Sequence, residues 1–471
     1  MNRLRTLLAV ALAAMTTVTM GQEKKLFTLD DLIPGGSTYR NLVPQTEYLE
    51  WWGDECVRLG IDDCSVVDKN TGEQTVLFTL ADVNEALGDA KAHHLYYATF
   101  PYAGQPVVLL NGNLIDWKQK KTIWQSALEV GAQNKDWHPG SRHTAYTKDY
   151  NLYVAKADGK TFKVSTDGSI DLVYGEAVHR NEFGIDKGTF WSPSGSKLAF
   201  YRMDQSMVAA YPQVDMTTRC ATVVPDKYPM AGEPSHKVSV GVYDVEAGTT
   251  IYLNTDDPTD RYFTNIAWSP DGKLLYIIEM NRDQTIAQLI AYDAQTGAKK
   301  GIVLEEKNDK YIEPMNPIVF LPWDGDKFIY QSRNEGYKHI YLYSADGKML
   351  KRLTSGEFEV MDVLGFNEKK KSIVYTSNEG SPIGKTVWSV DVKGRRTPVG
   401  SREGWHSAEL SATGTFVADM YSSPKTARKI DIVPTAGGKS VNVLTAAEPW
   451  DEYKTPQIEV GTIKAADGKT D

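Results

Sequence analysis

The chain has 471 residues and a formal charge of -9, with 61 acidic side chains against 52 basic ones. Nothing in it gathers the basic face that a nucleic-acid partner requires, and a solvated acidic surface is the plain reading of the charge. Three cysteines and eight scattered histidines make no metal-ligand spacing, so no metal or cofactor is expected, and three cysteines are too few for a disulfide-built scaffold.

In chain order, Arg3 and Arg5 precede an apolar run from Leu7 to Met15, and small or polar residues lead to Gly21. This is the layout of a secretory signal peptide over residues 1–21, cut after Gly21. The run is shorter than the roughly 20 residues that span a bilayer. The mature protein is therefore expected outside the cytoplasm, periplasmic or extracellular, with no membrane segment after cleavage. Residues 22–44 form a separate N-terminal segment, in which Phe27 to Gly36 predicts a short helix capped by Thr28 and stopped by Pro34-Gly35. Cys56 and Cys64 could pair across a hairpin in an oxidising compartment or remain free buried thiols.

From there a repeat takes over. An apolar or Trp residue is followed by a Ser-Pro-like turn, a Gly and an alternating apolar strand. The copies are Trp137-His138-Pro139-Gly140, Trp191-Ser192-Pro193-Ser194-Gly195 and Trp268-Ser269-Pro270-Asp271-Gly272, with weaker ones at Leu321, Phe366 and Leu410. Each is followed by an aromatic strand and a glycine hairpin turn such as Asp158-Gly159 or Asp346-Gly347, where the backbone takes positive φ. Two hairpins recurring every ~45–55 residues are the sequence form of a four-stranded propeller blade. Six units are clear, and two earlier ones fall near Tyr48–Leu77 and His94–Lys120. The expected fold is all-β: a β-propeller of about eight four-stranded blades, over residues 45–456.

The stretch from Val173 to Asp204 departs from the repeat. It sets Glu176, His179, Arg180, Asn181 and Glu182 between Gly175 and Gly184, a polar, turn-prone segment on a rigid scaffold, where binding residues concentrate. Between Met203 and Lys237 lies an insertion with Pro212, Pro225, Pro229, Gly232 and Pro234, which reads as an excursion loop. At the far end, Ile458 to Lys464 reads as a fresh strand and Ala466 to Thr470 as a hairpin turn. The chain then stops in mid-hairpin, so residues 457–471 read as the cut beginning of another domain. No Gly-x-Ser-x-Gly elbow, His-Glu-x-x-His helix, phosphate-binding glycine loop or Cys-x-x-Cys occurs, so no catalytic residue is expected within the chain.

The stretches Phe27–Gly36, Val173–Asp204, Tyr211–Asp215, Tyr228–Gly232, Glu313-Pro314 and Gln331–Tyr343 together resemble the exported prolyl tripeptidyl peptidases, in the dipeptidyl peptidase IV branch of the prolyl oligopeptidase clan. The resemblance covers essentially the whole mature chain. It implies an eight-bladed propeller that filters access to a C-terminal α/β-hydrolase domain, missing here together with its Ser, Asp and His. It also implies peptide substrates with a free N-terminus and, in the full-length enzyme, a possible homodimer. In dipeptidyl members a Glu-Glu pair holds the substrate ammonium; that pair falls on Glu176 and Ala177, so one carboxylate is lost. In tripeptidyl members the propeller contributes the Glu of a His-x-x-Glu-Phe-Gly motif, which is Glu182 here. Each extended residue spans ~3.3–3.6 Å, so tripeptide release needs an anchor about one residue further from the nucleophile.

Glu182, Glu176, Arg180 and His179 are accordingly the candidate substrate-binding residues. Against this, Glu182 could pair with Arg180 or Lys187, Glu176 could be structural, and His179 and Arg180 could simply order the loop. Arg202 and Asp204 read as a structural pair. A stand-alone periplasmic propeller that binds protein partners is the alternative function.

Overall fold

The computed structural model describes residues 23–470. The signal peptide expected over residues 1–21 lies outside them. Among the described residues, no helix is long and apolar enough to cross a membrane.

Antiparallel sheets follow one another from Tyr48 to Thr445 as an eight-bladed propeller requires, each built from strands consecutive in sequence except the fourth, which a separate hairpin interrupts. The first blade is Tyr48–Trp52, Glu55–Leu59, Asp63–Val67 and Gln74–Thr79. The second has three strands, Val107–Leu110, Asn113–Asp116 and Lys121–Gln125, with the bridge from Thr99 to Leu109 as the stub of a fourth. It overlaps the unit expected near His94–Lys120, and a helix, Leu80–Leu87, stands between it and the first blade. That helix is capped by Thr79, whose hydroxyl accepts the N–H of Asp82 while the Asp82 carboxylate accepts the N–H of Thr79.

The apolar side chains pack between neighbouring blades. Tyr201, Val240 and Val242 of the fourth blade meet Phe263, Ile277 and Ile290 of the fifth. Trp51, Cys56 and Val67 of the first meet Ala418, Ile432 and Val441 of the eighth, which closes the ring. The tryptophans also staple blades together. Trp191 donates from Nε1 to the carbonyl of Asp136 in the blade before it, Trp268 to Phe190, and Trp51 to Glu409 of the last blade, at 3.0, 3.0 and 3.1 Å. The ring is therefore shut by the same contact that joins consecutive blades.

The expected short helix is present as Leu29–Leu32. Asp31 accepts from the N–H of Thr28 and from the hydroxyls of Thr28 and Thr38. Lys25 bridges Tyr453 and pairs with Glu452 at 2.6 Å, while Phe27 stacks on Tyr453, so this segment packs where the chain leaves the last blade.

Three expectations are corrected, and the choice left open for Cys56 and Cys64 falls on free buried thiols. The insertion after Met203 is an antiparallel hairpin, Ala210–Asp215 with Thr222–Lys227, not a loop. Pro212 sits opposite Pro225, and a two-stranded ribbon tolerates a proline wherever its N–H would point outward. Residues 455–464 form no strand and pair with none of the nine sheets; Ile458, Val460 and Ile463 are exposed. Cys56 and Cys64 are free and buried, three positions out of register: Cys56 faces Val67 and Cys64 faces Leu59. Finally, Arg202 and Asp204 serve separate partners, Arg202 donating to the Tyr174 hydroxyl at 3.2 Å and Asp204 accepting from Ser206.

Candidate functional site

The polar stretch is an interruption of one strand position. Leu172–Tyr174 and Thr189–Trp191 both pair with the same strand, Lys197–Asp204, at its two halves. Between them the chain loops out and returns. Its neck is pinched: Gly175 N–H reaches the Tyr201 carbonyl at 2.8 Å, and Tyr201 N–H the Gly188 carbonyl at 2.9 Å. A Cβ on Gly188 would sit 2.2 Å from the Glu176 carbonyl oxygen, so only glycine fits there.

Inside the loop the backbone is held in the left-handed region at four non-glycine residues, with φ of 51° at His179, 55° at Arg180, 63° at Asn181 and 57° at Phe183. Such conformations cost on the order of 1–3 kcal/mol each and persist only where surrounding structure over-determines them. Three contacts supply that. Phe183 is buried against Tyr262, ring centroids 5.0 Å apart. Gly184 packs on the Met315 carbonyl, 2.4 Å from where a Cβ would stand. His179, only 3% exposed, uses every polar atom of its ring.

Those ring contacts fix the tautomers. Phe263 N–H donates to His179 Nε2 at 3.0 Å, so the proton lies on Nδ1. His179 Nδ1 then donates to His236 Nε2 at 3.0 Å, and His179 N–H donates to the same nitrogen at 3.2 Å. Burial holds both imidazoles neutral. It pushes His179 well below the ordinary range, and it takes His236 down to about 4 with help from Arg180 and Arg282. His179, one of the candidate ligands, is thus corrected: it lies inside and acts by holding the loop.

The other candidates separate. Glu176, partly buried, and Arg180 line a pocket of about 270 Å³ with Asn181, Asp226 and His236. Burial pushes the Glu176 carboxyl up. Arg180 pairs with Asp226 at 3.5 Å and lies over the Tyr228 ring at 5.0 Å, so the hairpin insertion forms one wall. Glu182 stands outside this pocket, exposed at the crest of the loop. Neither nearby cation neutralises it, since Arg180 is taken by Asp226 and Lys187 by Asp136 at 3.1 Å. Among the described residues its carboxylate has no hydrogen-bond or ion-pair partner, while its carbonyl accepts from Ile185. Reading the sequence missed Asp226, His236 and Met315, whose only signal was their position in the insertion and in a connecting segment. Among the described residues no group of three or more His, Cys, Asp or Glu side chains is placed to hold a metal.

The fold is a closed ring of eight blades, all β, with a rigid polar loop on its fourth. Comparison with known proteins places it further. The chain belongs to the dipeptidyl peptidase IV (DPP IV) N-terminal region family, whose model matches residues 94–428. The Probable dipeptidyl-aminopeptidase B of Pyrenophora teres f. teres is 27% identical over 505 residues, covering 93% of this chain and 55% of its own length. That of Phaeosphaeria nodorum is 29% identical, over 62% of this chain and 36% of its own. A solved structure from Bacteroides ovatus, assigned as a dipeptidyl aminopeptidase IV, superposes with a TM-score of 0.87 at 43% identity, covering 95% of this chain and 66% of that one. Dipeptidyl peptidase 4 of Porphyromonas gingivalis shares the fold, with a TM-score of 0.73 at 22% identity over 90% of this chain and 62% of its own. The chain thus spans only about a third to two thirds of these relatives' lengths.

Proposed function

We propose that this chain is the substrate-gating propeller of an exported serine exopeptidase that releases N-terminal tripeptides after proline, with Glu182 anchoring the substrate amine. One observation carries the reading: a solvent-facing carboxylate without a partner among the described residues, on a loop whose backbone is pinned and whose two neighbouring cations are engaged elsewhere. A carboxylate so placed makes a charge-assisted hydrogen bond with a peptide ammonium and gains nothing from an acylated amine. Because the loop is already ordered, little further entropy is lost on binding. Glu176 and Arg180 supply the polar pocket beside it. The nucleophile comes from outside these residues, which contain no elbow motif, so the chain by itself is proposed to be inactive.

The test is calorimetric titration of the purified chain with Ala-Ala-Pro peptides bearing a free or an acetylated amine. The free amine should bind about tenfold or more tightly, and Glu182→Gln should erase that preference. Equal affinity for the two peptides, or a preference that survives the substitution, would refute the assignment. Release of an Ala-Ala-Pro chromogenic amide by the chain alone would refute the proposed inactivity.

A further inference from the structure

A pocket of about 300 Å³ opens at the seam between the seventh and eighth blades. The seventh blade is built from Val360–Asn367, Ser372–Ser377, Thr386–Asp391 and Arg396–Val399. The turns after its first and third strands bring Lys370 and Arg395 into the lining. Ser372, Ser389, Asp391 and Thr397 complete that blade's share, and Thr435 and Ala436 come from the eighth. Ser372 pairs with Asp391 at the beginning of the second strand. The Glu182 loop instead leaves the fourth blade beside Tyr174, which pairs with Arg202 near the end of its second strand. Corresponding strands of a propeller run alike, so the pocket opens on the face away from the Glu182 loop.

The pocket is rich in unused donors. The Lys370 ammonium has no ion-pair or hydrogen-bond partner among the described residues. Arg395 gives Asp391 only its Nε, at 2.7 Å, which leaves both terminal nitrogens of its fork unpaired among the described residues. Asp391 is the one carboxylate in the lining, and its capacity is taken up. One oxygen holds Arg395 Nε, and the other accepts the backbone N–H of Lys393 and of Arg395, both at 2.9 Å. It therefore aims the guanidinium. At the floor the buried Ser389 hydroxyl donates to the buried Ser372 hydroxyl at 3.0 Å, and the hydrogen of Ser372 meets no acceptor among the described residues. Thr397, opposite Ser389 in the register, adds a second free hydroxyl, whereas that of Thr435 is occupied by the Gly414 carbonyl and the Asn367 amide. No aromatic ring lines the pocket and Ala436 is its only apolar side chain, so it does not suit an apolar ligand or a stacked base. Lys369 and Lys371 flank Lys370, and the Lys351 side chain packs on Gly394. Glu368 in the same turn and Asp324 beside Lys371 offset part of this charge. Positive potential still gathers here, on a chain whose formal charge is -9.

We propose that this pocket binds one phosphate group, free or as a monoester, with Lys370 and Arg395 as its charged ligands and Ser372 and Thr397 as hydroxyl donors. Two positive charges match a phosphate dianion. A guanidinium fork held in place by a carboxylate grips two of its oxygens at once, and the ammonium and the hydroxyls serve the third. A carboxylate ligand would engage the fork and leave those other donors idle. Because the pocket faces away from the Glu182 loop, its ligand leaves that loop free to receive peptide. The site's existence does not depend on what Glu182 binds.

Calorimetric titration of the purified chain with inorganic phosphate and with glycerol phosphate, at constant ionic strength, tests this. Saturable binding is expected, with a phosphate-dependent rise in melting temperature and with acetate about tenfold weaker or worse. Arg395→Gln and Lys370→Gln should each weaken phosphate binding about tenfold, while Lys369→Gln, outside the lining, should change it by no more than about twofold. Lys370 and Arg395 are exposed, so these variants should keep the circular dichroism of the native chain. Sedimentation with phosphatidic acid vesicles that Arg395→Gln abolishes would identify a lipid headgroup as the source of the phosphate. Binding of the soluble phosphates without sedimentation would identify a soluble one. The proposal is overturned if neither phosphate binds saturably, or if acetate binds as well as phosphate. Equal weakening by Lys369→Gln and Arg395→Gln overturns it too, because that result marks a diffuse basic surface and not a built pocket.

Discussion

His236 accepts two hydrogen bonds from a single residue, His179: one from its backbone N–H at 3.2 Å and one from its Nδ1 at 3.0 Å. Both bonds end on the same lone pair of His236 Nε2, so protonating that nitrogen removes both at once. The pair fastens a loop of left-handed residues to the blade behind it. It also makes the loop's stability a function of pH.

The sign follows from the depressed value. His236 titrates near 6.5 when unfolded and about 4 when folded, so between these the unfolded chain binds more protons and stability falls as pH falls. The stabilisation is complete above about 6.5 and lost by about 4, roughly 3 kcal/mol for this group at 1.36 kcal/mol per unit. His179 acts in the same direction. Urea denaturation across this window should show the decline, and His236→Gln should flatten it. A slope unchanged in that variant would locate the titration elsewhere.

Gly184→Ala should destabilise by about 2–4 kcal/mol, combining a left-handed backbone penalty with overpacking. The residue has φ of 73°, and its Cβ would lie 2.4 Å from the Met315 carbonyl oxygen. Gly88→Ala, with φ of 60° but nothing within 4 Å, should cost only the backbone part. Chemical denaturation of the two variants separates strain from contact, and equal losses would contradict the packing account.

One thiol in three should react quickly with a disulfide reagent in the native protein. Cys220 is exposed, whereas Cys56 and Cys64 are buried and burial pushes both up to about 12, which suppresses the reactive thiolate. The two slow thiols should appear only with unfolding. Two or three fast thiols would contradict the packing of the first blade.

Asp419→Ala should cost about 3–5 kcal/mol, because it strips the buried His406 of its partner. His406 is fully buried, with Nδ1 at 2.8 and 2.9 Å from the two Asp419 oxygens and Nε2 at 3.0 Å from the Glu403 carbonyl. Thermal melting measures the loss. By contrast, Asp226→Asn removes the charge from the partly exposed pair with Arg180 and weakens the bond Gln213 Nε2 donates to that carboxylate at 3.1 Å, and it should cost no more than about 1 kcal/mol.

Much of this was legible in the residues. The Trp-Ser-Pro turns at 191 and 268 and the glycine hairpins announced blades, because strand alternation and positive-φ turns are local properties. The second blade falls where the repeat put it, with only a bridge at Thr99 for its remaining strand, while the helix before it was not anticipated. The strand expected at 458–464 did not form: its apolar alternation is real, but a strand exists only where an edge receives it.

The chain's order of amino acids determined the number and kind of its blades and marked 173–204 as the break in the pattern, since short-range chemistry is written residue by residue. Which side chains of that break face outward was decided by folding alone. His179 and Glu182 are three positions apart, yet one is buried between the fourth and fifth blades and the other stands free. The difference comes from partners far away in sequence: His236 and Phe263 hold His179 inside by hydrogen bonds, while Asp226 engages Arg180 and leaves Glu182 free of it.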